Sequence, residues 1–162
     1  MKPTLSHDFI IAAITLGAAH AADTPSPPDK DKDPKKLEPA REAIARGDWG
    51  SARVHLARIL GQDPANADAH NRYAFAERKS SAPRMDVVCR HYNEALRLDP
   101  GHRGAHEYLG EAYLMGGNPG KAREHPEILA KLCPARCEER SVLQAALGEA
   151  LAARGHQAGA LT

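Results

Sequence analysis

Three cysteines and nine histidines are the residues through which this chain could do chemistry. Cys133 and Cys137 are separated by Pro-Ala-Arg. The proline makes that segment a turn rather than a continuous helix, and a turn can bring two sulfurs together. Three readings stay open: a structural disulfide, soft thiolates holding Cu(I) with His125 as a further ligand, or inert thiols. Cys89 is expected as a lone, buried thiol. His55, His91 and His125 each stand nine residues before a proline of an X-Pro dipeptide, at Pro64, Pro100 and Pro134. Such a column can bind metal or sense acid, but helices packed about 8–10 Å apart are a long reach for two imidazoles on one ion. The expectation is therefore a solvated outer face. His102 and His106 are spaced i, i+4, as chelating pairs are, although packing explains His106 as well. Glu107 and Glu111 share that spacing and read as a solvated or groove-facing stripe. There is no Ser or Cys nucleophile with a spaced base, no phosphate loop and no paired carboxylates in a recognisable frame. The chain thus reads as non-enzymatic and without a cofactor.

Ahead of these residues the composition changes twice. Lys2 supplies a positive charge, Phe9 to Ala19 is an apolar run, and Ala19-His20-Ala21 has the small-x-small form of a cleavage site. Residues 1–21 are expected to be a removable export signal, since a bilayer needs about 20 apolar residues. After cleavage no membrane contact is expected. Residues 22–35, rich in Pro, Asp and Lys, lack large apolar side chains and read as a disordered spacer. The 22 basic and 21 acidic residues leave a formal charge of +1, so no basic field attracts nucleic acid. Export places the cysteines in an oxidising compartment, the bacterial periplasm or the exterior.

From Leu37 onward Ala, Leu, Arg and Glu dominate, and the chain begins to repeat. The X-Pro stops Asp63-Pro64, Asp99-Pro100 and Cys133-Pro134 lie 36 and 34 residues apart, and Gly47 and Gly117 lie 70 apart. A period near 34 marks paired-helix repeats. In the third repeat His106, Leu109, Gly110, Tyr113, Ala122 and Pro134 resemble the pattern of the tetratricopeptide repeat (TPR) family. The segment LCPARCEE also resembles the C-terminal end of small exported bacterial repeat proteins. The resemblance implies an all-α fold, an α-solenoid of about three TPR helix-turn-helix repeats with a C-terminal capping helix, over residues 36–154. It implies further that Gly110 lets the first helix of its pair approach the second, and that Tyr113 fills the space between pairs.

The expected helices run over residues 36–46, 49–60, 67–79, 85–98, 103–115 and 119–132, followed by the cap at 138–154 and a flexible tail at 155–162. Leu143, Leu147 and Leu151 form the cap's apolar stripe. Pro126 falls mid-helix and pushes on the carbonyl of Ala122, which predicts a kink. Repeat two carries Glu77 where Tyr is usual and a longer turn at Ser80 to Arg84, which predicts looser pairing.

In such arrays the first helices line a concave groove that holds a peptide or a partner helix. That face maps to Arg41, Asn71, Phe75, Arg78, Glu107, Tyr108, Glu111, Leu114 and Met115. The family's carboxylate-clamping set of Lys, Asn and Arg is not reproduced. The reading is a scaffold or adaptor for a protein or peptide partner. The alternative is a thiol or copper accessory factor in assembly of a redox protein, acting through Cys133 and Cys137.

Overall fold

The computed structural model describes residues 34–159, with side chains from 35 to 153. The expected signal at 1–21 and all but the end of the expected spacer lie outside the described residues. Within them the chain is helical and contains no strand. The helices are α1 (Pro34–Ala45), α2 (Trp49–Gln62), α3 (Ala67–Arg78), α4 (Met85–Leu98), α5 (Arg103–Met115), α6 (Pro119–Ala122), α7 (Glu124–Leu132) and α8 (Glu138–Gly159). Helix α8 runs five residues past the expected end at Arg154, into the segment read as a tail.

Local chemistry explains the boundaries. Gly47 and Gly117 both take left-handed backbone, φ 69° and 73°, a conformation glycine adopts without steric cost. Each closes the preceding helix with the same two bonds: Gly47 N–H donates to Ile44 and Asp48 N–H to Ala43, while Gly117 N–H donates to Leu114 and Asn118 N–H to Tyr113. The residue that follows each glycine then opens the next helix. Asp48 Oδ1 accepts from Ser51 N–H at 3.0 Å, and Asn118 Oδ1 from Lys121 N–H at 3.3 Å. The expected kink is present: the helix breaks at Arg123, between α6 and α7, one residue after the carbonyl that the Pro126 ring would strike.

Successive helices pack in order, and α3 also touches α5, so the repeats stack as a solenoid. The main core runs through α1 to α5 and includes Leu37, Leu56, Phe75, Val88, Tyr92, Tyr108 and Leu109. A second core, Ala122, Leu129, Cys133, Cys137, Leu143 and Leu147, seals the C-terminal end, and Tyr113 packs against both. Leu143 and Leu147 face inward, but Leu151 is 37% exposed, so the buried stripe of α8 ends one turn early.

Gly110 is small for a different neighbour than expected. A Cβ there would lie 2.5 Å from Leu143 Cδ2 and 2.7 Å from Cδ1, so the space it leaves belongs to the capping helix and not to the second helix of its own pair. Repeat two is also not loose. Glu77 is fully buried, and its carboxylate accepts from Arg53 Nη1 at 2.7 Å and from Arg84 Nε at 2.8 Å, Nη2 at 3.2 Å and backbone N–H at 3.2 Å. One side chain thereby ties α2, α3 and the long turn together. It also accepts from the backbone N–H of Arg84, the N-cap residue of α4, whose own side chain makes no capping hydrogen bond.

Candidate functional site

The residues mapped to the groove separate into two sets. Phe75 and Tyr108 are core side chains, 2% and 1% exposed, with ring centroids 5.1 Å apart. Trp49 meets Phe75 edge-on at 5.9 Å, and Tyr92 lies 6.1 Å from Tyr108. Their rings therefore pack repeat against repeat instead of standing free for a partner. Asn71, Arg78 and Glu107 are likewise buried. Arg41, Glu111 and Leu114 are partly exposed, and Met115 is the most open of the set.

Five of these residues meet at Arg78. Its guanidinium lies 3.0 Å from Glu111 Oε2, 5.6 Å from the centroid of Phe75 and 5.5 Å from that of Tyr108, with Nη1 3.8 Å from Met115 Sδ. A planar cation stacked on aromatic faces and paired with a carboxylate is a rigid arrangement, and it fixes α3 against α5. The expected stripe of Glu107 and Glu111 is thus not a solvated one: Glu107 is 4% exposed and Glu111 is engaged by Arg78.

Arg72 was missed by the sequence reading. It is buried on α3, and neither its Nε nor Oδ1 of neighbouring Asn71 has a hydrogen-bond partner among the described residues. Burial pulls the Arg72 pKa below its ordinary value against the field of Asp68, and Arg41 is lowered by burial and by Arg72. The i, i+4 spacing of Asp68 and Arg72 signals a helix-surface pair. Asp68, however, lies 3.3 Å from His102 Nε2 on the neighbouring turn. The result is a cationic spot formed by Arg41 of α1 and Arg72 of α3.

The cysteine turn comes together as its proline requires. Cys133 ends α7, Cys137 caps α8, their Cα atoms are 5.4 Å apart, and the two sulfurs meet across the turn. Arg136 takes φ 47° to close it. The carboxylate of Glu139, 3.6 Å from Cys137 Sγ, completes a buried group of three atoms within 4.8 Å of one another. His125, the further ligand considered for copper, lies elsewhere, with its Nδ1 3.0 Å from His106 Nδ1. Cys89 is half-buried and free, and burial raises its thiol pKa.

The histidine column is not a solvated face. His125 is 7% exposed, and His91 is partly buried with its Nδ1 2.9 Å from His70 Nδ1. His102 and His106 do not converge either. His102 Nδ1 caps α5 by accepting from Ala105 N–H at 3.2 Å, while His106 turns to His125.

This architecture is a TPR-like α-solenoid. No protein-family model and no curated protein sequence matches the chain. Solved structures do. The first TPR domain of Spaghetti (RPAP3) bound to an HSP90 peptide, SRMEEVD, aligns with a TM-score of 0.63 at 20% identity, over 73% of this chain and 91% of that one. The K341M mutant of Thermobaculum terrenum O-GlcNAc transferase aligns with a TM-score of 0.63 at 23% identity, over 70% of this chain. This chain spans 21% of that enzyme's length. Among the described residues no helix is long and apolar enough to cross a membrane.

Proposed function

We propose that the chain is a non-enzymatic docking protein, exported to the bacterial periplasm, that holds an acidic segment of another polypeptide against α1, α3 and α5. The single observation carrying this reading is Arg72. A buried guanidinium set beside Arg41, its pKa lowered by burial although Asp68 and Glu38 lie in its field, is stabilised further by an anion brought onto this face. A carboxylate of a bound peptide has the charge and the acceptor atoms to do so. The RPAP3 domain of similar fold was solved with a peptide carrying two glutamates and an aspartate, which supports the partner class. Phe75, Tyr108 and Arg78 hold the floor of that face rigid, so a peptide meets a preformed surface.

The test is fluorescence anisotropy with a labelled acidic heptapeptide, SRMEEVD, and its Gln/Asn-substituted analogue. Arg72→Gln is expected to weaken binding of the acidic peptide about tenfold or more, as loss of a charge-assisted hydrogen bond does. Equal affinity for both peptides, or no effect of Arg72→Gln in a variant with unchanged circular dichroism, refutes the reading. Export is tested separately by the N-terminal mass of the protein recovered from periplasm.

A second reading rests on the buried Cys133, Cys137 and Glu139. When reduced, two thiolates and a carboxylate suit Zn(II) better than Cu(I), since carboxylate oxygen is a hard ligand. We favour the oxidised pair, closing the turn before the cap in an oxidising compartment. A mass two hydrogens lower without reductant, together with no metal uptake after reduction, removes the thiol or copper alternative.

A further inference from the structure

Two side-chain assemblies recur at the period of the chain. In repeat two, His70 Nδ1 lies 2.9 Å from His91 Nδ1, and His70 Nε2 lies 3.1 Å from the carbonyl oxygen of Pro64. In repeat three, His106 Nδ1 lies 3.0 Å from His125 Nδ1, and His106 Nε2 lies 3.0 Å from the carbonyl oxygen of Pro100. A tyrosine backs the second ring each time: Tyr73 stacks on His91 at 4.4 Å and Tyr113 on His125 at 5.8 Å. Each assembly joins the X-Pro stop of the preceding repeat to both helices of the next. It is a joint between repeats.

The hydrogens follow from the partners. A carbonyl only accepts, so His70 and His106 carry their hydrogen on Nε2 and present a bare Nδ1. The hydrogen shared between the two Nδ1 atoms therefore belongs to His91 and to His125. One additional proton can enter each pair, at Nε2 of His91 or His125, without breaking the bond. A second would place two N–H groups face to face at about 3 Å, which the geometry forbids. The folded pair holds one charge at most, whereas two unfolded imidazoles hold two.

We propose that the paired imidazoles are acid-labile joints, which lock repeats two and three onto the prolyl turns before them at neutral pH and release them together on acidification. The surroundings already disfavour the first charge. His125 is pushed down to about 4 by burial and then by His106. His91 is pushed down to about 4 by burial, His70 and Arg90, against the opposing fields of Glu77 and Glu94. His106 is lowered by burial and His102, against the Pro100 carbonyl bond and Asp99. Lys121 lies 5.3 Å above the Tyr113 ring that backs His125. Because the unfolded chain binds more protons, stability is full above the unfolded value of about 6.5 and falls as pH drops toward 4, the unfolding constant of each pair rising per pH unit by about tenfold where the folded pair carries one charge and by up to about a hundredfold where it carries none.

The test uses the whole chain. Long-range proton–nitrogen spectra at pH 7 are expected to show His70 and His106 as Nε2–H tautomers and His91 and His125 as Nδ1–H tautomers. Urea titrations from pH 7 to 4.5 are expected to show the midpoint falling with acid. His91→Gln with His125→Gln, whose amides donate to the bare Nδ1 atoms but do not titrate, should flatten that dependence while the fold at pH 7 is kept. The proposal is overturned if the wild-type midpoint is the same at pH 7 and 5, or if His91 and His125 titrate near 6.5. Displacement of all four resonances by stoichiometric Zn(II) at pH 7 would likewise overturn it, in favour of a metal site.

Discussion

Glu77 stands where the repeat pattern prefers a large ring, and its carboxylate substitutes for packing by collecting donors. Two guanidinium groups and a backbone N–H hold it ionised, and its pKa is drawn down to about 2, first by Arg84 and then by Arg53 against burial. A carboxylate lowered in the folded state contributes stability that is complete above its unfolded value and lost as pH falls through the folded one. Glu77→Gln is therefore expected to lower stability at pH 7 and to flatten the acid limb between about 4.5 and 2. Arg84 is well exposed and Arg53 partly so, so the cost is about 1–3 kcal/mol, below that of a pair buried on both sides. Urea unfolding across that range decides it, and an unchanged acid limb would remove Glu77 as the organising residue of repeat two. This window lies below that of the imidazole pairs, so the two effects are separable in one titration.

Among elements, the contact that closes the array is α5 against α8. Leu143 fills the space above Gly110, and both belong to faces with no room to spare. Gly110→Ala gains helix propensity of about 1 kcal/mol, yet it must displace a fully buried leucine, which costs about 1–3 kcal/mol. A net destabilisation is expected, and Leu143→Ala in the same chain should relieve most of the clash. Double-mutant thermal unfolding measures the coupling; purely additive effects would mean that the two residues do not meet. The kink between α6 and α7 belongs to the same scale. It was foreseeable from Pro126 alone, because the missing donor and the ring clash act within one turn.

For the whole molecule, stability is a sum along a stack, and the end of the stack is the sensitive place. Removing α8 by ending the chain at Arg136 exposes Leu129 and the Gly110 face and discards the burial of Leu143 and Leu147. At about 1.5–3 kcal/mol for each leucine, the loss is comparable to the whole stability of a small domain. The truncated chain is expected to lose cooperative unfolding and to bind a dye for exposed apolar surface. A sharp transition at the same midpoint would show the cap to be dispensable. The proposed binding of an acidic peptide is likewise a property of the stack, since Arg41 and Arg72 come from different repeats; it should weaken as salt is raised.

The repeat period, the helix boundaries to within a few residues and the break at Pro126 were all legible in the sequence, because glycine, proline and capping residues act within a turn or two of themselves. Gly47-Asp48 and Gly117-Asn118 specify their turns without help from the rest of the chain. What the sequence could not show is which side chains of different helices meet. The column of histidines was visible, but Phe75 and Tyr108, expected on the groove face, are interior, and His91 and His125 have imidazole partners 21 and 19 residues away. Glu77 was read as a defect until Arg53 and Arg84 were seen around it, and Gly110 was assigned to the wrong neighbour. Each of these depends on the angle and spacing at which helices stack, which the summed packing of the core decides and which no local pattern carries.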